Sequence, residues 1–464
     1  MIDESRSHPM IHEPAPKRQL SLLHTSALII GTVIGSGVFI SLPIVAALAG
    51  SSGMAILIWL LGGLIWIPQI LVLAEMGTSH PVQGGPYTYL QQAGSPFLAF
   101  LYTWTAFLTS DTPTLTIIAL SAISVITFFA PWAEDPGVAK LAAAALIALF
   151  AAIHYRSVRL GGLVQVALTI AKLTPLLSIV IIGLLALKTE VFSLAINDPL
   201  VSERGTLAIL VAGISSTLWS YAGFINILYM AGEVRDPGRT LPRALIGSLL
   251  LIIAAYTLIA MCTSAIVPFA DLVTAKGSFV NPFAYLPALS SSAGAIFAVA
   301  AFVSMLGVLN ATVMAQPRLE YAIARDGLFF PVFGRLHPRF LTPHYSILIQ
   351  CGLAMLLLIP GSIEELLGYF TLSYALQNGL VYGSYFVLRH KAGYNPTYRA
   401  PLGGVMAALS VIVQVALAVG TVLAYPGAGV LSAAVLILTG FPIYYYYYTR
   451  RRGHTLPTTS EETR

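Results

Sequence analysis

About twelve apolar segments follow one another along this chain, each near the length that an α-helix needs to cross a lipid bilayer. Hydrophobic residues make up 57% of the sequence and charged residues only 9%, which is too little charge to cover a soluble protein of this length. The sequence therefore predicts an all-α integral membrane protein with about twelve transmembrane helices. The predicted spans are roughly 22–48, 54–76, 97–130, 138–155, 161–187, 205–234, 243–268, 294–324, 344–361, 364–388, 403–424 and 429–449.

The distribution of positive charge predicts the orientation of these spans. Most of the 24 lysine and arginine residues fall in segments that lie on the cytoplasmic side if the N-terminus is inside. The positive-inside rule therefore predicts a multi-pass protein of the plasma membrane with both termini in the cytoplasm. We expect disordered polar tails at 1–19 and 450–464 and a single transmembrane domain over 20–449. The positive charge is a signal for topology and indicates no nucleic-acid partner.

Glycine strings interrupt two of the spans at related places. The string GTVIGSGVF (31–39) falls in the first span and WSYAGF (219–224) falls in the sixth, about five spans further on. Two broken spans at corresponding places in two halves are typical of a transporter built from inverted repeats, with the substrate site between the half-helices. We predict repeats over approximately 20–187 and 205–388, with extra spans over 403–449.

A break in the first span would offer partners to a ligand that carries both an anionic and a cationic group. The backbone N–H groups of Ser36 and Gly37 would begin the outer half-helix and attract a carboxylate, and carbonyls near Val33 and Ile34 would attract an ammonium group. The alternative is close helix packing through Gly31 and Gly35.

The sixth span would supply a second broken segment and a cover for the site. Trp219 is large enough to lie over a small molecule, although most membrane tryptophans pack or anchor at an interface. The predicted substrate-binding residues are Ile34, Gly35, Ser36, Gly37, Trp219, Ser220, Tyr221, Ala222 and Gly223.

Two charged side chains fall inside predicted spans. Lys172 lies within an apolar stretch, where a cation costs from about 3 to over 10 kcal/mol, so it must face protein or a polar cavity. Asp111 could pair with a cationic substrate group or serve as a hydrogen-bonding acid at the turn before Pro113. Asn310 is a further candidate for selectivity in the eighth span.

A charged loop follows the sixth span. Glu233 lies close in sequence to Arg235, Asp236 and Arg239, and charge pairs among these residues would stand at the membrane edge. The loop is therefore either an inner gate or a solvated helix stop.

Three strings in order resemble one known family. GTVIGSGVF (31–39), WSYAGF (219–224) with GEVRDPGRTLP (232–242), and RLEYAIARDGLF (318–329) are similar to the first span, the sixth span with its following loop, and the eighth-span exit of the amino acid–polyamine–organocation (APC) superfamily. The nearest branch resembles the L-type (LAT-like) amino acid transporters. The resemblance implies a LeuT-type fold of five plus five inverted spans with two additions, with spans 1 and 6 unwound.

The resemblance also implies roles for particular residues. Ile34, Ser36 and Gly37 would hold the amino acid backbone, and Trp219 would be the aromatic gate. The ammonium group of Lys172 would replace a sodium ion that lies between spans 1 and 8 in sodium-coupled relatives. Its burial also makes it a candidate proton carrier.

We therefore expect a secondary active transporter of neutral L-amino acids, either a sodium-independent exchanger or a proton-coupled permease. Uncharged groups near the sixth-span break, such as Ala222 and Phe224, favour neutral substrates. A cationic amino acid or polyamine antiporter is the alternative, because of Asp111, and an amino acid sensor or a membrane enzyme is a remote one.

The expected partners are a small-molecule amino acid and the lipid bilayer. The histidines have no metal-ligand spacing and no phosphate-binding loop is present, so we expect no catalytic residues, no metal and no cofactor. The loop 131–137 carries no cysteine, unlike the equivalent loop of animal LAT light chains, so we expect no disulfide-linked heavy subunit and a prokaryotic source.

Overall fold

The computed structural model describes residues 16–35, 37–196, 203, 205–275, 280–287, 289–359, 363–424 and 438–450. Of the tails expected at 1–19 and 450–464, residues 1–15 and 451–464 lie outside these residues. The described chain is helical apart from turns, loops and one isolated β-bridge, between Leu20 and Val234. The prediction of an all-α protein is therefore confirmed.

The first half of the chain contains the helices that surround the first break. They are α1 (Leu22–Val33), α2 (Gly37–Ala49), α3 (Ser52–Leu64), α4 (Trp66–Ser79), α5 (Pro86–Gln92), α6 (Pro96–Thr105), α7 (Thr112–Ile126), α8 (Pro136–Arg156) and α9 (Val158–Leu185). One π-helical turn, Ala106–Asp111, joins α6 to α7. Such turns are rare and often occur at functional sites.

The second half begins with the second break. Its helices are α10 (Thr206–Leu218), α11 (Asn226–Tyr229), α12 (Pro237–Ile266), α13 (Phe269–Thr274), α14 (Ala293–Ala315), α15 (Pro317–Arg325), α16 (His344–Leu357), α17 (Ile363–Leu388), α18 (Gly403–Ala424) and a last helix, α19, over 438–450.

Among the described residues, six helical segments are long and apolar enough to cross a membrane, and shorter apolar helices accompany them. The chain is thus a multi-pass membrane protein. The six segments are Ser52–Ser79, Pro96–Ile126, Pro136–Arg156, Val158–Leu185, Pro237–Ile266 and Ala293–Arg325, and the shorter helices are Leu22–Val33, Thr206–Leu218, His344–Leu357 and Gly403–Val419.

Both glycine strings coincide with helix ends. Helix α1 ends at Val33 and α2 begins at Gly37. Helix α10 ends at Leu218, a 3₁₀ turn follows, and α11 begins only at Asn226. Gly223 has φ +121°, a value that side-chain-bearing residues rarely adopt, so a glycine is required there.

Helix packing brings the two breaks together at the centre of the bundle. Helix α1 packs against α9, α12 and α14, and α14 packs against α7 and α9. On the side predicted to be cytoplasmic, the chain before α1 pairs with the chain after α11, because the N–H groups of Gln19 and Leu20 donate to the Glu233 carbonyl and that of Arg235 donates to the Leu20 carbonyl. The two interrupted spans are therefore joined by backbone hydrogen bonds at this end, outside the breaks themselves.

Candidate substrate-binding cavity

A cavity of about 220 Å³ lies between the two broken segments. Its other walls come from α6, the π turn, α7, α14 and α17. Most of the surface that lines it is apolar, as is usual for small-molecule sites, although many of the lining residues carry a polar group. The polar or charged side chains that line it are Thr32, Tyr102, Ser110, Asp111, Thr114, Ser121, Ser220, Asn226, Tyr229, Thr312, Gln316, Tyr374, Gln377 and Asn378.

Five of the substrate-binding residues predicted from sequence line this cavity. They are Gly35, Gly37, Ser220, Ala222 and Gly223. The Ser220 hydroxyl donates to the Ser41 hydroxyl at 3.1 Å, which joins the second break to α2. Ser36 lies outside the described residues, as does the side chain of Trp219.

Ile34 and Tyr221 do not line the cavity. The Ile34 carbonyl accepts from Lys172 Nζ at 2.5 Å and from Ser304 Oγ at 3.2 Å. The Tyr221 hydroxyl donates to the Trp59 carbonyl at 3.0 Å, and its ring lies edge-on to Tyr256 with centroids 5.0 Å apart. The sequence could not show that these two residues face away from the cavity, because a short irregular segment has no repeating pattern that tells which of its side chains point inward.

The carbonyls at the end of α1 already have donors from the protein. The Val33 carbonyl accepts from the Tyr256 hydroxyl at 3.1 Å, and that hydroxyl is also within 3.1 Å of the Ser220 carbonyl. The expectation that Val33 and Ile34 carbonyls are free to hold the substrate ammonium group therefore does not match this structure.

Lys172 is the donor that completes the first break. Its side chain is fully buried, and Nζ donates to the Gly31 carbonyl at 2.8 Å as well as to that of Ile34. The Gly31 carbonyl lacks its helical partner, because the N–H of Gly35 turns back to the Val33 carbonyl at 2.9 Å. Lys172 thus lies behind the cavity wall and supplies the hydrogen bonds that the helix break removes.

Two more polar side chains on α9 also donate hydrogen bonds to backbone carbonyls of α1. Gln165 and Thr169 precede Lys172 on the same helix face, and both donate to the Ala27 carbonyl, at 3.3 and 3.2 Å. Asn310 donates to Gln165 Oε1 at 2.7 Å, and it pairs with His154 Nε2 at 3.0 Å. Asn310 therefore links α8, α9 and α14 away from the cavity, although its sequence position suggested a selectivity role.

Asp111 lies in the cavity wall with little support for its charge. It ends the π turn and is 6% exposed. Its Oδ1 accepts from Gln316 Nε2 at 3.3 Å, and Oδ2 has no hydrogen-bond partner among the described residues. The carboxylate does not cap α7, so the interpretation of Asp111 as the acid of the turn before Pro113 gains no support from its contacts.

A buried ion pair lies near the end of the second break. Glu233 Oε1 accepts from Arg318 Nε at 2.9 Å and from Gln83 Nε2 at 3.0 Å, and both charged side chains are about 1% exposed. Within the described part of the chain this is the only ion pair found. The pairs expected with Arg235, Asp236 and Arg239 are not formed. Glu233 instead joins α15, which is distant in sequence.

Several polar side chains at the cavity belong to no motif that would identify them from the sequence. The hydroxyls of Tyr102 and Tyr229 meet at 2.8 Å between α6 and α11. Gln377 Nε2 donates to Thr105 Oγ1 at 3.1 Å, and its Oε1 accepts from the Ser110 hydroxyl at 3.3 Å. Their presence inside apolar spans was the only available indication.

Known proteins resemble the chain over most of its length. The family model described as amino acid permease matches residues 20–443. The chain is 31% identical over 398 residues to the serine/threonine exchanger SteT of Bacillus subtilis (strain 168), covering 85% of this chain and 89% of that protein. It is 32% identical over 378 residues to b(0,+)-type amino acid transporter 1 of Oryctolagus cuniculus, covering 80% of this chain and 76% of that protein. It is 28% identical over 380 residues to the cystine/glutamate transporter of Homo sapiens, covering 81% of this chain and 74% of that protein.

Proposed function

Because the chain belongs to the amino acid permease family, we propose that it is a sodium-independent carrier that moves neutral L-amino acids across the plasma membrane by alternating access. Amino acid transport is the function at family level. The observation that carries the proposal is the cavity between two broken helices, whose walls include Gly35, Gly37 and Gly223. The first N–H groups of a half-helix at such a break, as at the start of α2, suit the carboxylate that all amino acids share.

The proposed architecture has twelve spans. Five plus five of them form inverted repeats over approximately 20–187 and 205–388, and the additional spans fall within 403–449. Both termini would be cytoplasmic. In this arrangement Ser36 would help bind the substrate carboxylate, and Trp219 would cover the substrate from one side.

Small polar neutral amino acids are the proposed substrates. The hydroxyls and amides of Ser110, Thr114, Gln377 and Asn378 lie along one side of the cavity and can hydrogen-bond a short polar side chain. The printed name of the Bacillus subtilis relative, a serine/threonine exchanger, supports the same class.

Sodium independence is supported by the contacts of Lys172. Its amino group takes the Gly31 and Ile34 carbonyls, which would otherwise be available to an ion between α1 and α14. A second cation beside this amino group would be repelled. Lys172 is therefore proposed to replace the ion permanently.

A cationic amino acid or polyamine is the second candidate substrate. One observation favours it: a buried carboxylate, Asp111, lines the cavity and has no partner on Oδ2 among the described residues. A substrate ammonium or guanidinium group could supply that partner.

We also propose that the chain works without a disulfide-linked subunit. Another relative, from Oryctolagus cuniculus, is named the large neutral amino acids transporter small subunit 2. In this chain Cys262 and Cys351 are buried thiols, and the loop 131–137 carries no cysteine.

The test is counterflow in proteoliposomes loaded with unlabelled serine. Labelled serine should enter at the same rate when external sodium is replaced by choline. Alanine, serine and threonine should compete with it better than arginine or putrescine. A steep sodium dependence would reject the proposed role of Lys172, and stronger competition by arginine or putrescine would select the second candidate substrate.

A further inference from the structure

Two buried carboxyl groups, one in the cavity wall and one near it, have no cationic partner among the described residues. Besides Asp111 in the cavity wall, Glu320 on α15 is fully buried, and neither of its carboxyl oxygens has a hydrogen-bond partner among the described residues. Gln316, which donates to Asp111, precedes Glu320 by four residues and so lies on the same helix face. Glu320 therefore lies about one helical turn beyond the floor of the cavity.

The chain treats its other buried carboxylates differently. Glu75 accepts hydrogen bonds from the hydroxyls of Tyr385 and Tyr394 and from the N–H of Ala400 at 2.8 Å. Glu233 has its guanidinium partner. Among the described residues, Asp111 accepts a side-chain hydrogen bond from Gln316 and Glu320 accepts none, and a negative charge on Asp111 disfavours a negative charge on Glu320.

Within the described residues, the titratable groups near this pair supply no positive charge. They are phenols on α6, α11 and α17 and a thiol on α16, whereas the guanidinium of Arg318 on α15 donates to Glu233. Asp111 has Tyr102, Tyr229 and Tyr374 near it, and Glu320 has Tyr229 and Cys351.

The described residues therefore leave no cation for this pair, so a positive charge from outside would stabilise it. An isolated buried carboxylate is costly, whereas a neutral carboxyl group is not. A metal ion needs a shell of several oxygen ligands, and the described residues hold no group of three or more acidic, histidine or cysteine side chains able to form one. A proton needs a single oxygen atom, and Asp111 can receive it because it lines the cavity.

We propose that Asp111 and Glu320 form a proton-binding site that couples amino acid transport to proton movement. A carboxylate oxygen of the pair takes one proton from cavity water while the cavity is open to the outside. The same proton leaves to cytoplasmic water after the cavity opens inward, and the carboxylate is restored. One zwitterionic amino acid and one proton then carry one net positive charge inward per cycle. This inference rests on the proposed function and adds the coupling ion.

The first test uses the wild-type protein in liposomes that contain a pH-sensitive dye. Addition of external serine should acidify the lumen, with the membrane potential clamped by potassium and valinomycin. An inside-alkaline gradient of about 2 pH units should drive uptake against a concentration gradient of up to about 100-fold, since each pH unit is a factor of ten. Serine counterflow without any proton entry overturns this inference and leaves the proposed function standing; absence of counterflow overturns the proposed function itself.

The second test locates the proton site. Asp111→Asn and Glu320→Gln should abolish serine-dependent acidification, and the counterflow rate of Glu320→Gln should no longer change between pH 5 and pH 8. Glu75→Gln is the matched control, because this buried carboxylate has its own hydrogen-bond donors away from the cavity, and it should acidify the lumen as the wild type does. Gel filtration and thermal unfolding check that each variant is folded. The assignment would be overturned if both folded site variants acidified the lumen as the wild type does. It would also be overturned if external arginine, but not serine, caused acidification.

Discussion

Replacement of Lys172 by methionine should weaken substrate binding while leaving the protein folded. Methionine has a similar length and fills a similar volume, but it donates no hydrogen bond. The substitution removes the two bonds from Nζ to the Gly31 and Ile34 carbonyls. The Ile34 carbonyl keeps Ser304 Oγ as a donor, whereas that of Gly31 keeps none that the described residues supply.

The free energy of unfolding should fall by a modest amount. Two hydrogen bonds from a charged donor are each worth about 1.5–3 kcal/mol. Removal of a buried cation returns a desolvation cost of several kcal/mol, which offsets much of this loss. What remains is the unpaired carbonyl of Gly31, about 1–3 kcal/mol. If the same energy is required to order the end of α1 for binding, the Kd for substrate should rise about 5- to 150-fold.

The assay combines thermal unfolding with calorimetric binding of serine to the purified protein. Lys140→Met is the matched control, because Lys140 Nζ also donates to a backbone carbonyl, that of Ile359 at 2.9 Å, but at an exposed site. Its binding should equal that of the wild type. Sodium should not rescue Lys172→Met, since the vacated position offers few of the six or more oxygens that a hard cation prefers. Unchanged binding by Lys172→Met would refute the reasoning.

Two further substitutions test the second break and the buried ion pair. Gly223→Ala should lower the free energy of unfolding by about 1–3 kcal/mol, because φ +121° is strained for alanine, and it should also lower serine counterflow. The control is Gly247→Ala, because Gly247 in α12 has open space around it, and this variant should reduce neither thermal stability nor counterflow. Arg318→Met should lower the unfolding free energy by about 3–5 kcal/mol, because Glu233 is left buried without its cation, and the double variant with Glu233→Gln should recover much of that loss in the same thermal unfolding measurement. Equal stability of the single and double variants would contradict the ion-pair argument.

The positions of the helix breaks could be predicted because their causes are local. Glycine at 31, 35 and 37 weakens a helix wherever it occurs, and the described helices end at Val33 and resume at Gly37. The buried contact of Lys172 was equally predictable, since a cation at that depth needs oxygen partners. What the sequence could not tell was that those oxygens are backbone atoms of α1.

The contacts that were missed are all between residues distant in sequence. Glu233 has three charged neighbours within its own loop, yet its partner is Arg318, 85 residues away. Asn310 lies in the predicted span, but the register of α14 against α8 and α9 turns it from the cavity to His154. The π turn that ends at Asp111 changes the helical register between α6 and α7, and no short motif predicts it. Helix packing, rather than local propensity, decides these positions.

The contacts at the first break make its two halves unequal. On the carbonyl side, Gly31, Val33 and Ile34 accept donors from α9, α12 and α14. On the amide side, α2 begins at Gly37 in the cavity wall, and the first N–H groups of any helix have no acceptor within it. The first break is therefore better suited to bind the carboxylate of an amino acid than its ammonium group. We therefore infer that the ammonium group binds at the second break, where Ala222 and Gly223 also line the cavity.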